Sequence, residues 1–487
     1  MTSGESEPEN RSGQSGQLPE VPKPQSFRTI ALVVASALFM QQLDGTVLTV
    51  ALPTMARDLH VAAPTLSLAL TSYLVALALF IPASGALADR FGSRSVFCLS
   101  IALFLAGSIA CAFAFNLASL VAARFLQGTG GAMMVPVGRL VLLRTVAKRD
   151  IVQALSWLVM PALIGPILGP PLGGLIVTWL DWRWIFYLNL PIGLIGMFCA
   201  FALIPNIKGR VDTAFDRVGF LVSGGALAST LFGLELSSRP GTGRISIFLL
   251  GCGVILGFIY MRHARRVENA ILDPKLMRME NFRLSVIAGS LTRITQGAQP
   301  FLLPLMFQLG FGLSAASTGA ITVSVAVGGL AMKAVAPRVL KRWGFRRSVI
   351  VSGIVGTAGY ALCAAFRPDW PMALIVTILL VAGFFTSFQF TAYNAIAYAD
   401  IETEKMSGAT SFYATFQQLS LSLGICLAAA SLELAPAIAG RNSLVLVDFS
   451  YAFLVVSGIS ALALVWNRQF ARDAGQAISR HGRQGEL

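Results

Sequence analysis

Apolar stretches of about 20 residues, each long enough to cross a bilayer as a helix, recur along this chain and are separated by short polar segments. The first six fall near 28–52, 65–87, 95–115, 118–142, 152–178 and 184–205. After a basic linker come two more, near 217–237 and 245–261, and then six near 283–310, 316–337, 347–366, 371–398, 408–433 and 447–467. The pattern predicts an all-α integral membrane protein with about 14 spans grouped six, two, six. The expected divisions are a disordered tail over 1–27, a six-helix bundle over 28–206, two inserted helices with basic linkers over 207–282, a second bundle over 283–467 and a tail over 468–487.

An internal repeat supports that grouping. The loop after the second span reads Arg90-Phe-Gly92-Ser-Arg94, and the loop after the second span of the last six reads Arg342-Trp-Gly344-Phe-Arg346. Equivalent loops in equivalent places are what a duplicated transporter leaves in its sequence. Spans seven and eight then read as an insertion between the halves.

Composition agrees with the span count. Of 487 residues, 55% are hydrophobic and 12% charged, about half the charged fraction of a soluble domain, so most of the surface faces lipid. The net charge of +14 raises the question of nucleic acid, and the location of the charge answers it. One set of alternate loops holds Arg90, Arg94, Arg144, Lys148, Arg149, Lys208, Arg210, Arg217, the basic stretch 262–283, Arg338, Lys341, Arg342, Arg346, Arg347 and Lys405. The other set holds Arg57, Arg183, Arg239, Arg244, Arg367 and Arg441. The positive-inside rule makes the rich side, and both termini, cytoplasmic, so the basic character serves insertion and no nucleic-acid partner is expected. The first 26 residues carry early glutamates and many Ser, Gly and Pro, which fits a disordered tail and not a signal peptide.

Five segments carry a family resemblance. Gly85-x-x-x-Asp89-Arg90-x-Gly92-x-Arg94 resembles the cytoplasmic signature of the major facilitator superfamily, and Arg124-Phe-Leu-Gln127-Gly128 resembles that family's Arg-x-x-x-Gly segment. Gly165-Pro166-Ile-Leu-Gly169-Pro170-Pro-Leu-Gly173-Gly174 is similar to the motif of its drug-exporting branches. Asp181-Trp-Arg-Trp-Ile-Phe-Tyr-Leu-Asn-Leu-Pro-Ile-Gly193, with the acid of Leu43-Asp44-Gly-Thr46, looks like the fourteen-helix drug:proton antiporters. The resemblance implies the major facilitator fold, two six-helix bundles plus two inserted helices, and export of a small molecule against protons by alternating access, with periplasmic adaptor proteins as candidate partners and a monomer as the working unit.

Each motif has a physical reading. In the first loop the glycines allow a tight turn, and Asp89 could pair with Arg90 and Arg94 across the loop to hold a cytoplasmic gate shut. Glycines and prolines in the fifth span make a small-residue face for close helix packing. Asp44 sits inside an apolar helix, where ionisation is costly, so it can take and release a proton; coupling to the equally deep Arg124 would link protons to efflux. Both residues also have a purely structural reading, as helix-to-helix contacts.

Arg293, Gln296 and Gln299 share an arc of one helix, and with Gln127, Gln417 and the aromatics Phe307, Phe388 and Tyr393 they are candidate lining for a substrate cavity. The last six spans hold no clearly central Asp or Glu while Arg293 and Lys333 stand out, so an anionic or neutral substrate competes with a cationic drug. Other classes find little: His60, His263 and His481 are scattered, and the sequence has neither HExxH nor a GxxxxGK[ST] loop. No enzyme, cofactor or metal is expected, the six cysteines read as small packing residues, and the internal two-fold repeat with its single deep Asp argues against a channel; an exporter or facilitator of an anionic or neutral metabolite, or a non-transporting receptor or scaffold, are the remaining alternatives.

Overall fold

The structure is a computed structural model that describes residues 27–146, 151–208, 215–237, 239, 241–267, 270–402, 405–441, 443–471 and 474. The two expected tails fall almost wholly outside these residues, as do Lys148, Arg149, Arg210 and His481. The first half consists of α1 (Phe27–Asp58), α2 (Ser67–Phe91), α3 (Ser93–Ala112), α4 (Leu117–Thr145), α5 (Ile151–Trp179) and a sixth span made of α6 (Trp184–Tyr187) and α7 (Asn189–Leu203). The inserted pair is α8 (Arg217–Ser237) and α9 (Gly243–Ala264). The second half consists of α10 (Glu280–Leu305), α11 (Ala315–Leu362), α12 (Met372–Ala397), α13 (Met406–Ile438) and a last span made of α14 (Leu446–Ala461) and α15 (Ala463–Asn467).

The helix α11 supplies two spans, because Gly344 breaks it with φ 68° and ψ 173°. Gly92, its counterpart in the repeated motif, also has positive φ, 96°. Both turns therefore use a backbone region that side chains with a Cβ rarely enter, which is why the loop repeat survives in sequence as a glycine. At Gly92 there is a second constraint: a Cβ would collide with the Asn206 side chain.

Eleven stretches of described residues are long and apolar enough to cross a membrane. The spans that fall short are α4, α10 and the partly described α5, whose apolar part is the shorter Ile164–Trp179. The first two carry the buried arginines Arg124 and Arg293. A polar helix of this kind can cross lipid only inside a shell of apolar ones, and α4 and α10 are accordingly packed among neighbours, whereas α9 keeps Ile247, Phe248, Val254, Ile255 and Phe258 exposed for lipid.

The face that carries the α2–α3 loop is termed the basic face. Near the opposite face the two halves share one continuous core, running from Leu43, Leu52 and Phe186 to Phe301, Phe366 and Phe453. Near the basic face each half has its own core, one around Val34, Phe97 and Met134 and others around Phe345, Tyr393 and Phe412. The halves thus share an apolar core near the opposite face and have separate cores near the basic face. Gln308 of the segment after α10 donates to the Val50 carbonyl (2.9 Å) across that seam.

The α5 glycines belong to the same seam. A methyl at Gly165 would lie 3.1 Å from the Leu43 nitrogen on α1, one at Gly173 2.6 Å from the Val47 oxygen, and one at Gly174 2.5 Å from the Ala315 oxygen on α11. Gly169 abuts Thr46, and Gly319 of α11 abuts the Pro170 carbonyl in return. The small-residue face therefore packs α5 on its own half and on the other half at once.

Candidate functional site

Asp44, midway along α1, lies where the shared core meets the first half's own core, and it is 1% exposed. Its Oδ2 accepts from Arg124 Nη1 at 2.7 Å. Its Oδ1 accepts from the amides of Gln127 (2.9 Å) and Asn189 (2.8 Å). Ser108 Oγ accepts from the same two amides, at 2.8 and 3.1 Å, and Gln127 Oε1 takes a second bond from Arg124 Nη1 at 2.5 Å. The guanidinium stands over the Tyr73 ring, 4.3 Å from its centroid. Five spans thus meet at one carboxylate: α1 brings the acid, α4 the cation and an amide, and α2, α3 and α7 the aromatic face, the hydroxyl and the second amide.

The buried ion pair is satisfied on the acid side, where both oxygens are used, and open on the basic side, where Arg124 Nε has no hydrogen-bond partner among the described residues. Two opposite charges without water attract strongly, and losing either charge strands the other.

The second half also has a buried arginine, and among the described residues no acid pairs with it. Arg293 of α10 is 2% exposed. Its Nη2 donates to the Tyr413 hydroxyl at 2.9 Å, its guanidinium lies 4.8 Å from the Tyr413 ring and 5.3 Å from the Phe390 ring, and Nε has no partner among the described residues. Aromatic faces and one phenol hold this cation in place of a carboxylate.

The remaining expected site residues divide. Gln296 is half-buried and reaches the Thr386 carbonyl at 3.5 Å, Gln299 is buried and Gln417 half-buried. Gln127 belongs to the Asp44 cluster and is closed off from any cavity. The aromatics differ from expectation: Phe307 is fully buried in the shared core against Phe311, while Phe388 and Tyr393 lie in a core near the basic face, where the Tyr393 hydroxyl donates to Asn467 (2.6 Å). An aromatic residue in a membrane bundle fills helix-helix gaps as readily as it lines a cavity, and these three do the former. A cleft of about 380 Å³ opens instead at the opposite face, between Thr54, Arg57, Thr178, Gln308 and Ser314.

The signature loop also departs from expectation. Asp89 pairs with Arg144 of α4, not with its loop neighbours. Arg144 also donates to the Ile207 carbonyl at 3.1 Å. Arg94 donates to the Phe201 and Ile204 carbonyls (3.5 and 3.4 Å), and Arg90 lies over the Phe91 ring. Gly85 has nothing within 4 Å of a would-be Cβ, so no close approach demands glycine there. The loop ties α2, α4 and the end of α7 within the first half; the described contacts of Asp89, Arg90 and Arg94 do not reach the second half.

Reading residues one motif at a time overlooked Tyr73, Ser108, Asn189 and Arg144. Asn189 had a signal: it is the one amide side chain in the apolar stretch 184–203. Ser108 had none, since a lone serine in a membrane helix usually bonds its own backbone.

A bundle of fourteen spans in two similar halves, with a buried acid–base pair in one of them, defines a membrane transporter of the alternating-access kind. The model of the Major Facilitator Superfamily matches residues 34–261 and 285–480, and the chain belongs to that family. The protein named "Probable transport protein HsrA" of Haemophilus influenzae is 36% identical over 443 residues, covering 91% of this chain and 95% of the relative. "Putative multidrug resistance protein MdtD" of Pectobacterium carotovorum subsp. carotovorum is 36% identical over 450 residues, covering 91% and 96%. Among solved structures, the nucleoside transporter NupG has a similar fold, with TM-score 0.62 at 16% identity over 91% of this chain and all of that one. The protein is a multi-pass membrane protein that carries a small-molecule substrate across the bilayer.

Proposed function

We propose that this transporter is a proton-coupled exporter of the multidrug or toxic-compound type, working by alternating access as a monomer in the inner membrane, with its basic face and both termini cytoplasmic and with no enzymatic step. The domain borders follow the 28–206, 207–282 and 283–467 division, and periplasmic adaptor proteins are candidate partners. The observation that carries the reading is the Asp44–Arg124 pair, a carboxylate at mid-depth whose charge one proton can cancel. The name of the relative MdtD supports the substrate class.

In this mechanism, ionised Asp44 and Arg124 form a neutral unit that stabilises the state open toward the basic face. A proton arriving from the opposite face neutralises Asp44 and releases Arg124, which changes how α1 and α4 hold together and so biases the two states. Substrate leaves on the side where the proton enters, and the proton leaves on the side where substrate enters. Asp89, Arg90, Arg94 and Arg144 fix the first half's basic end as one body, which closes against the second half when the other face opens.

Inverted vesicles test the reading. An acid-interior gradient should drive substrate accumulation in vesicles carrying the native protein, and Asp44→Asn should abolish that accumulation while leaving substrate-induced thermal stabilisation in place. Gradient-driven transport by Asp44→Asn at the native rate would refute proton coupling at this residue.

A second reading, export of an organic anion, has one observation in its favour: the buried Arg293 is held by tyrosine and phenylalanine, and among the described residues no carboxylate pairs with it. A substrate carboxylate or sulfonate would supply the missing charge. Binding of anionic and cationic test compounds to Arg293→Met separates the two readings.

A further inference from the structure

Both halves build the cleft at the opposite face. In the second half a single π turn, Met306–Gly310, follows α10, and Gly312, with φ 70°, lets the chain fold back so that the Leu313 amide donates to the Phe307 carbonyl at 2.9 Å. The folded-back loop is one wall. In the first half α5 touches the start of α11 at Gly174, where a methyl would lie 2.5 Å from the Ala315 oxygen. One turn further along α5, Val177 and Thr178 line the other wall together with Pro53 and Arg57 of α1. Gln308 lines the cleft as well, while its amide holds the Val50 carbonyl of α1, so the space lies across the join between the halves.

Its make-up is that of a small-molecule site. The volume of about 380 Å³ falls within the usual range of about 300–1,000 Å³, and apolar surface from Pro53, Val177 and Leu313 is combined with a few polar groups. Arg57 is the one charged residue in the lining. It bonds its own helix, Nε to the Pro53 carbonyl at 3.4 Å and Nη2 to the Thr54 hydroxyl at 3.2 Å, which leaves N–H groups of the five-donor guanidinium for a ligand. The adjacent acid does not neutralise it: Asp58 accepts from the Trp182 indole at 3.0 Å and pairs with Arg183 at 3.0 Å.

We propose that this cleft is a second binding site, which takes a small amphipathic carboxylate from the opposite side, its anionic end on Arg57 and its apolar body against Pro53, Val177 and Leu313. Because α1 and α5 supply one wall and the loop before α11 the other, the site exists only while the halves are joined at this face. A ligand there stabilises the joined arrangement over the one in which this face opens, by about tenfold at ten times its Kd, and so acts as an inhibitor from the far side. This inference rests on the moving halves of a transporter and on neither proton coupling nor the class of the exported substrate.

The test uses 2-naphthoate as the probe, with the neutral 2-naphthamide and the cationic 2-naphthylmethylammonium for comparison, on the full chain in nanodiscs. Spin labels at Phe115→Cys between α3 and α4 and Asp369→Cys between α11 and α12, both exposed, report the distance across the opposite face by double electron–electron resonance, with Cys98, Cys199 and Cys252 replaced by alanine. Naphthoate alone should raise the melting temperature and enlarge the short-distance population. Arg57→Gln, at an exposed position, should lose both responses, and so should Thr178→Phe, which fills the cleft and keeps the arginine. Arg293→Met should keep both. Naphthoate responses of native size in Arg57→Gln, or none in the native protein, overturn the proposal. So does binding that survives Thr178→Phe, which would leave only an ion on a surface arginine, or binding lost in Arg293→Met, which would put the anion at the second half's buried cation. A shift toward long distances on binding would equally refute the stabilisation of the joined face.

Discussion

The two halves share a fold and a loop motif, yet they hold their buried arginines in opposite ways. Arg124 meets a carboxylate that two amides and a shared serine hold in place. Arg293 meets a phenol and two aromatic faces. An acid beside a base can be switched by one proton, whereas a guanidinium alone stays charged at any attainable pH. The two halves thus share one architecture with different chemistry at the centre: an acid paired with a base in the first, which the proposed mechanism uses as its proton switch, and an arginine held by aromatic groups in the second.

The largest expected effect breaks the first centre. Asp44→Asn strands Arg124 in the core, and an uncompensated buried charge of this kind costs about 3–5 kcal/mol, so the melting temperature in detergent should fall steeply. Arg124→Met should cost less, because the carboxylate left behind can neutralise itself with a proton and the guanidinium left by the reverse change cannot. Equal losses from the two substitutions, across mildly acidic to mildly alkaline pH, would remove the asymmetry on which the switch depends.

A smaller effect is expected from Asn189→Ala, which deletes one bond to a charged group, about 1.5–3 kcal/mol, and leaves Gln127 and Arg124 in place. Its transport should be weakened and not abolished; a null phenotype in well-folded Asn189→Ala would make the amide part of the exchange itself. The smallest stability change should come from Arg293→Met. A central arginine costs about 2.5–3.5 kcal/mol to place in a helix, and the hydrogen bond that Arg293 donates to Tyr413 and the aromatic faces return a similar amount, so stability should stay within about 1 kcal/mol of the native protein's. A drop as large as that of Asp44→Asn would mean that Arg293 has a charged partner in another conformation.

The contrast between these centres was half legible in the chain. Asp44 and Arg124 stand out because ionisable residues inside apolar spans are rare enough to be noticed singly. Their enclosure was not legible: Asn189 is 145 positions from Asp44 and Ser108 is 81 from Asn189, and no local pattern joins them. The packing of the aromatics was hidden for a related reason. In a bundle wrapped by lipid, apolar residues face both outward and inward, so Phe307, Phe388 and Tyr393 carry no mark that separates core from cavity. Adjacency in the chain makes Arg90 and Arg94 the obvious partners for Asp89; the end of α2 instead sets the acid against α4, where it pairs with Arg144.

By itself the sequence determined the spans, their six-two-six grouping and the glycine turns at Gly92 and Gly344, since these follow from length, hydropathy and backbone sterics, which act locally. Tertiary structure alone decided which polar residues meet: Asp44 with Asn189, Asn189 with Ser108, and Asp89 with Arg144. Those pairings depend on the rotation and depth of helices far apart in the chain, and buried polar groups in a membrane are costly enough that the packing must bring each of them a partner.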